Sequence, residues 1–494
     1  MLRMLDPLPT RKWDFTTAAH LLNRAGFGGP PVEIERLVSL GPDKAVDWFV
    51  DFERIPDATA GPEWARPDPD RRKKFEAARQ ATEEERRRIL REEQQKQRQQ
   101  ITDLRRWWFQ RMATGPHPFQ EKMVLFWHGH FATSFEKVRD PYLMWRQNEL
   151  FRRLATANWQ QLLFEVARDP AMLLWLDQAQ SRKEHPNENF AREVMELFAL
   201  GEGHYSEKDV SEAARALTGW GYDRLTQRFV ERPFQHDNGM KTFLGKSGEL
   251  DGLDVIEQIV AQPQAARHIT GRLWNFFAGE APSESLADTL ADGFRKSGNN
   301  FKPILRAILR SEEFYAPSVV RAQVKSPVQW LVGTVRMLEM ELPSAMVCWG
   351  LTRNLGQDLF APPNVKGWDG GLTWITTNNL LARYNEAAAL VQGDMAVAGI
   401  AGLVNNPGAA RMVEERMRTA RVPRVDVKKL FSDRERTDKS GLIAALEKRL
   451  LQAELKPKQK TALRDYLDSR GELSEADILG AIRLVMSTPE YQLT

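Results

Sequence analysis

The sequence of 494 residues contains a single cysteine, Cys348. No internal disulfide can form, so the fold must be stabilised by packing alone. Cys348 lies in the apolar stretch SAMVCWGL, which predicts a buried thiol and not a nucleophile. Tryptophan, by contrast, occurs 15 times. Because indoles bury large apolar areas, this count predicts a core with much aromatic packing.

Long apolar runs are also missing. No segment approaches the roughly 20 apolar residues that span a bilayer, so no membrane span is predicted. The opening MLRMLDPLPTRKWD lacks the continuous apolar region of a secretory signal, which predicts a cytoplasmic protein. The formal net charge is only +3. Such a balance gives no support for nucleic acid or an anionic membrane as a partner.

Three widespread catalytic signatures are absent. No glycine-rich phosphate loop follows a strand, and no dinucleotide-binding fingerprint occurs. No Gly-x-Ser-x-Gly motif is present, which argues against a serine hydrolase of the nucleophile-elbow type. Any chemistry of this protein must therefore come from residues outside these common motifs.

Helical periodicity dominates the chain and predicts a mainly α fold, a multi-helical globular body. The Gly41-Pro42 pair predicts a stop between two short helices. One small β-hairpin is predicted in RFVERPFQHDNGMKTFLG, where Asp237 precedes the turn signal Asn238-Gly239. The Pro- and Gly-rich stretch LFAPPNVKGWDGGLTWI predicts a loop.

A projecting charged helix is predicted near residues 71–112. Its first part is crowded with Arg, Glu and Gln and has almost no apolar stripe, which is typical of a helix surrounded by water. The stripe returns from Ile101 to Met112, so this end must pack on the body. We predict a family domain over residues 1–400 that includes this helix. Residues 401–494 form a polar segment and C-terminal helices that pack back on that domain.

The stretch PNENFAREVMELFALGEG starts at Pro186 and concentrates charged groups at the beginning of a helix. At about 100° per residue, Glu188, Arg192 and Glu196 share one side, with Glu193 beside them. Such a stripe is an ordinary solvated face of an amphipathic helix. It also fits the wall of a site, in which the acidic residues act on a substrate or a metal. Periodicity alone does not decide between the two.

Two histidine segments offer further candidates. If Gly129 ends its helix and the chain becomes extended, His128 and His130 fall on one side and can chelate a metal. Otherwise both are core histidines. His236 and Asp237, at the predicted hairpin tip, are either metal ligands, a base with its orienting carboxylate, or turn residues.

Trp368 and Trp374 are flanked by glycines, and two interpretations are open for them. Either they form an aromatic platform suited to sugars, or they pack onto the core of the protein.

Several of these stretches together resemble a family of bacterial proteins grouped as domain of unknown function 1800. The matching blocks are HLLNRAGFG, FWHGHFATS, PNENFAREVMELFALGEGHYSEKDVSEAARALTGW, FQHDNGMKTFLG, PPNVKGWDGGLTWITTNNLLAR and LVMSTPEYQL. The resemblance implies one multi-helical unit in which the blocks meet in space. Family members are often exported and encoded beside sulfatase- or phosphatase-like companions, which makes the envelope the alternative location.

We therefore predict a hydrolase-type enzyme with a pocket of histidines and carboxylates. A divalent metal, held by imidazole and carboxylate groups, would activate water. Glu193 or Glu188 would be the general base, and Arg192 would hold an anionic group of the substrate. The predicted metal ligands are His128, His130, Glu196, His236 and Asp237.

The alternative is a non-catalytic scaffold or partner subunit of a sulfatase- or phosphatase-like companion, with the charged helix as its docking arm. A third hypothesis is carbohydrate binding through the Trp368 loop.

Overall fold

The computed structural model describes residues 5–393 and 422–494, and these residues are mainly helical. The N-terminal helices are Phe15–Ala25 (α1), Pro31–Val50 (α2), Arg71–Gln80 (α3), Glu83–Thr114 (α4), Pro118–His130 (α5), Phe135–Val138 (α6), Pro141–Arg153 (α7), Trp159–Ala167 (α8) and Pro170–Trp175 (α9).

The central helices are Glu188–Glu193 (α10), Glu207–Ala216 (α11), Gly252–Ala261 (α12), Pro263–Ala278 (α13), Glu284–Lys296 (α14) and Phe301–Arg310 (α15). The C-terminal helices are Pro327–Met337 (α16), Ala345–Asn354 (α17), Thr377–Gln392 (α18), Val427–Leu430 (α19), Asp433–Thr437 (α20), Lys439–Leu446 (α21), Pro457–Asp468 (α22) and Glu475–Met486 (α23). Two segments, Val194–Leu200 and Glu447–Leu451, are π-helical.

Local sequence signals account for many of these boundaries. Asp14 and Thr82 each form a capping box at the start of α1 and α4, which satisfies backbone N–H groups that have no partner inside the helix. The segment α2 is split at Gly41, whose φ of 75° interrupts the helical path just before Pro42. The predicted stop at Gly41-Pro42 is confirmed.

The β structure consists of two small antiparallel sheets. Strand β1 (Trp220–Asp223) pairs with β2 (Arg228–Glu231), and β3 (Lys241–Phe243) pairs with β4 (Lys246–Gly248). The mainly α fold with minor hairpin structure is confirmed. The predicted hairpin segment, however, supplies one strand to each sheet, and Asn238-Gly239 lies in the connection between β2 and β3.

The charged segment predicted as one helix near residues 71–112 forms two helices, α3 and α4, separated at Ala81 and Thr82. Helix α3 runs antiparallel along the N-terminal part of α4, with Lys74 near Glu93 and Asp68 near Lys96. Nearly every side chain of residues 83–100 is exposed, whereas Ile101 begins the buried stripe. We call residues 71–100 the charged arm.

The core is one contiguous cluster of buried apolar side chains that extends from the N-terminal helices to Tyr491. As the composition predicts, indoles are prominent in it, and five tryptophans are almost fully buried: Trp108, Trp127, Trp159, Trp274 and Trp330. Cys348 is buried as predicted. No helix within residues 5–393 and 422–494 has the length and apolar content needed to cross a bilayer.

The C-terminal helices pack on this core, with α23 against α18 and Tyr491 bonded to Thr334 of α16. The predicted domain boundary at residue 400 falls in the segment 394–421, outside the described residues. The division into residues 1–400 and 401–494 therefore stays a prediction.

Candidate functional site

A cavity of about 790 Å³ opens between five parts of the chain. Its floor is helix α5, and one wall is the end of the π-helical segment with the turn that follows it. A second wall is the C-terminal half of α13. The remaining sides are formed by residues 322–329 and by the Pro- and Gly-rich loop at residues 366–374. We call this space the central cavity.

The floor differs from the sequence prediction, because helix α5 continues through Gly129 to His130. Residues two apart on a continuous helix point about 200° apart, so His128 and His130 cannot chelate one metal as a pair. The extended chain at Gly129, which was the condition for that chelating pair, does not occur. Close packing requires the glycine of the loop instead: a Cβ at Gly367 would lie 2.2 Å from the carbonyl oxygen of Gly129, whereas a Cβ at Gly129 would meet only Trp368, at 3.9 Å. Gly367 thus lets the loop lie directly on the helix.

His128, in the floor helix α5, contacts Phe360 and Trp368 and so holds that loop in place. Its Nε2 accepts a hydrogen bond of 3.0 Å from the backbone N–H of Phe360, and its ring lies 5.5 Å from that of Trp368. Because the ring is buried, the pKa of His128 falls to about 3. His128 is thus a neutral acceptor within the core, as one alternative of the sequence analysis had it.

His130 and a second imidazole, His268 of α13, bond to the end of the π-helical segment. His130 Nε2 donates to the carbonyl of Phe198 (2.9 Å), and His268 Nε2 lies 3.3 Å from the carbonyl of Leu197. Burial is the main cause that lowers the pKa of both imidazoles, and the positive charge of Arg272 adds to it. The pKa of His268 falls to about 4. Two neutral rings therefore satisfy carbonyls that a helix end leaves unpaired.

The carboxylate of Glu196 reaches the cavity from the π-helical segment. Asn187 caps the start of α10, and the backbone N–H of Gly201 closes the far end on the carbonyl of Glu196. The hydroxyl of Tyr205 donates a short hydrogen bond to the Glu196 carboxylate. Burial and this bond raise the pKa of Tyr205 to about 12. Glu196 is therefore held in one orientation by a hydroxyl that stays protonated at neutral pH.

The other charged residues of this helix lie in three different settings. Glu188 is exposed at the start of α10. Arg192 makes two bonds of 2.7 Å to the carboxylate of Glu207 at the surface. Glu193 is half-buried, and its pKa is raised by burial and by the charge of Glu196, against the attraction of Lys366 and Arg192.

His236 and Asp237 lie away from the cavity, where they fix the connection between the two sheets. His236 Nδ1 is 2.9 Å from the carbonyl of Thr218, and Asp237 accepts from Arg215 Nε at 2.7 Å. Across the described ranges, no three His, Cys, Asp or Glu side chains are grouped so as to hold a metal ion. The five predicted ligands, His128, His130, Glu196, His236 and Asp237, are therefore not brought to one centre.

Comparison with known proteins places the chain in a family. The family model described as Protein of unknown function (DUF1800) matches residues 20–493. The chain belongs to DUF1800. No curated protein and no solved structure matches it.

Three of the blocks that carry the resemblance to DUF1800 meet at the central cavity. They contribute Gly129 and His130, the turn from Glu196 to Glu202, and the loop from Lys366 to Trp374. The HLLNRAGFG block supports the floor from behind, since Lys122 Nζ donates to the carbonyl oxygens of two of its residues at 2.8 and 3.3 Å. The FQHDNGMKTFLG and LVMSTPEYQL blocks do not line the cavity.

In this DUF1800 chain, the wall formed by α13 was not predicted from the sequence. His268, Arg272, Asn275 and Phe276 all line the cavity and follow each other at helical spacing. Arg272 is solvent-accessible, and burial by the surrounding walls lowers its pKa. The available signal was a histidine and an arginine four residues apart on an amphipathic helix, which is also typical of a plain surface stripe.

Proposed function

We propose that this protein is a hydrolase and that the central cavity is its active site. The observation that carries the proposal is the convergence of three separate sequence blocks, each of which was a candidate site, around one cavity of about 790 Å³. A volume of this size suits a small molecule or the end of a chain. Aromatic rings alternate there with carboxylates, amides and cations, as expected where a polar ligand has to be oriented.

The proposed chemistry depends on the pair Glu193 and Glu196. Glu196, oriented by Tyr205, is the base that takes a proton from water, and the resulting hydroxide attacks the substrate. Glu193, one helical turn earlier, has a raised pKa and donates its proton to the leaving group. Two neighbouring carboxyl groups are a common arrangement for general acid and base catalysis.

A panel of chromogenic glycosides, carboxylic esters and phosphate esters tests this proposal. We expect at least one class to be hydrolysed, and Glu196→Gln to reduce turnover by roughly 10²–10⁴-fold. The matched control is Glu188→Gln, the same change at an exposed position of the same helical region, which should leave turnover unchanged. No hydrolysis of any class, or equal turnover in the wild type and Glu196→Gln, would refute the proposal.

A second candidate function is docking to a companion protein of the sulfatase- or phosphatase-like type. The charged arm favours it, because the arm is exposed and its Lys and Arg residues outnumber its Asp and Glu residues. Replacing residues 72–99 by a short Gly-Ser linker tests this function. If the arm docks on an acidic surface, co-purification with the companion is lost while the body keeps its melting temperature and any hydrolysis.

A further inference from the structure

We propose that the central cavity takes an acidic saccharide, with its carboxylate on Arg272 and its sugar ring against Trp368 and Trp374. The position of the reacting bond, near Glu196, rests on the proposed function. The binding of the saccharide does not, because it could occur without hydrolysis. The two parts are therefore tested separately.

Arg272 is a cation without a counter-ion. No hydrogen-bond acceptor or carboxylate partner of its guanidinium is found among residues 5–393 and 422–494. Burial alone lowers its pKa, and no carboxylate opposes that shift. A bidentate carboxylate is the group that the planar fork of a guanidinium fits best. Arg272 thus offers a bound anion an unpaired, solvent-accessible partner in the cavity.

The surroundings of Arg272 fit a sugar better than a simple organic anion. Asn275 stands one turn further along α13 and faces the cavity, and its side-chain amide has no partner within the described ranges. The indole N–H groups of Trp368 and Trp374 likewise have no acceptor there, although both rings are only partly exposed. Flat apolar faces beside free donors match a sugar ring, which has an apolar face and hydroxyl groups at its edge.

The remaining charges of the cavity fix the direction of the ligand. Glu196 and Glu202 lie at the end of the π-helical segment, and Asp369 lies on the loop, together with Lys366. Acidic and basic groups are thus both present, so the cavity does not attract every anion. The carboxylates of Glu196 and Glu202 repel an acid group, so the acid group of the ligand is favoured on Arg272 and its neutral part near Glu196.

Binding measurements with matched sugars test the inference. The probes are trimers of galacturonate and of galactose, together with a hyaluronan fragment and benzoate, titrated into the full chain by calorimetry. We expect the acidic sugars to bind roughly tenfold to a hundredfold more tightly than the neutral trimer, as expected for hydrogen bonds to a charged group. Arg272→Gln should remove this preference. Arg267→Gln is the matched control, because Arg267 lies on the same helix and is paired with Glu284 and Asp288 at the surface.

Each outcome bears on one of the two proposals. Equal binding of galacturonate and galactose, no binding of any acidic sugar, or equal effects of Arg272→Gln and Arg267→Gln would overturn the inference. Benzoate binding as tightly as the acidic sugars would also overturn it, since only an anion and a flat ring would then matter. Acidic-sugar binding that depends on Arg272, without hydrolysis, supports the inference and refutes the hydrolase. Hydrolysis that depends on Glu196, without a preference for acidic sugars, supports the hydrolase and refutes the inference.

Discussion

Glu121 is buried between two arginines from neighbouring helices. One carboxylate oxygen accepts from Arg111 Nε at 2.6 Å and from Arg152 Nε at 2.7 Å. The other accepts from Arg152 Nη2 and from the indole of Trp108, at 2.8 and 2.9 Å. Burial raises the pKa of Glu121, but the two guanidinium groups outweigh it and leave the pKa below its usual range.

Removing this charge should be strongly destabilising. We expect Glu121→Gln to lower the free energy of unfolding by about 3–5 kcal/mol, because two buried cations lose the one fully buried carboxylate that they share and keep only the more exposed Asp57 and Glu149. Urea denaturation at neutral pH measures the loss. The control is Glu165→Gln, whose exposed partner Arg153 is 4.0 Å away and should contribute about 0–1 kcal/mol. Similar losses in the two variants would show that Glu121 is not held as an ion.

The buried imidazoles predict a loss of stability in mild acid. The pKa of His268 is lowered to about 4, so the folded state keeps it neutral where the unfolded chain, with a pKa of about 6.5, binds a proton. Its contribution is fully present above pH 6.5 and is lost as the pH falls towards 4. Urea midpoints across this window should therefore fall with pH.

His268→Gln tests the assignment of this pH dependence, because an amide can still donate to the carbonyl of Leu197. We expect a shallower fall of the urea midpoint than in the wild type, with a residual slope from His130, whose pKa is also lowered by burial. An unchanged slope would assign the acid sensitivity to other groups.

At the scale of elements, the central cavity depends on the contact between helix α5 and the loop at residues 366–374. Gly367 has a φ of 84° and no room for a Cβ beside the carbonyl of Gly129. Gly367→Ala should therefore displace the loop, reduce ligand binding, and destabilise the protein by roughly 3 kcal/mol.

Gly371→Ala is the matched control for that displacement. Gly371 lies in the same loop with a φ of 57°, but a Cβ there would meet nothing within 4 Å. Only the left-handed backbone conformation should then cost free energy, about 1–2 kcal/mol. Hydrogen exchange across residues 358–376 distinguishes the two variants. Equal exchange would show that the glycine contact does not hold the loop.

Gly129 shows what a local rule can miss. Glycine near the end of a helical pattern usually marks a helix end, and the sequence prediction for Gly129 followed that rule. Helix α5 nevertheless continues through Gly129 to His130. The packing of Gly367 on this helix end joins residues more than 200 positions apart, and a local rule cannot represent such a neighbour.

At the scale of the whole molecule, Arg24 connects three distant parts of the chain. Its guanidinium donates to the backbone oxygens of Phe277, Val319 and Thr494, at 2.8, 2.8 and 2.9 Å. The side chain is almost fully buried. It therefore joins helix α1, the end of α13 and the C-terminal residues into one unit.

Arg24→Met should weaken the whole fold and not only its neighbourhood. Three buried carbonyls would lose their donor, at roughly 1–3 kcal/mol for each that finds no other partner. We expect a single, cooperative thermal transition at a clearly lower temperature. The control is Arg54→Met, since Arg54 is mostly exposed and pairs with Asp51 three residues earlier. A normal melting temperature with local exchange at the C-terminus would contradict this role of Arg24.

The sequence by itself determined the mainly α fold, the stop at Gly41, the charged arm and the membership of the family. These features depend on periodicity, capping and composition, which act over a few residues or are simple totals. It also indicated the segments around His130, Glu196 and Trp368 that line the cavity. Only the tertiary structure decided which of these segments line the central cavity. It placed His236 and Asp237 outside the cavity and Arg272 in its wall. Shared cavities are made by residues hundreds of positions apart, and their proximity depends on the packing of the entire core.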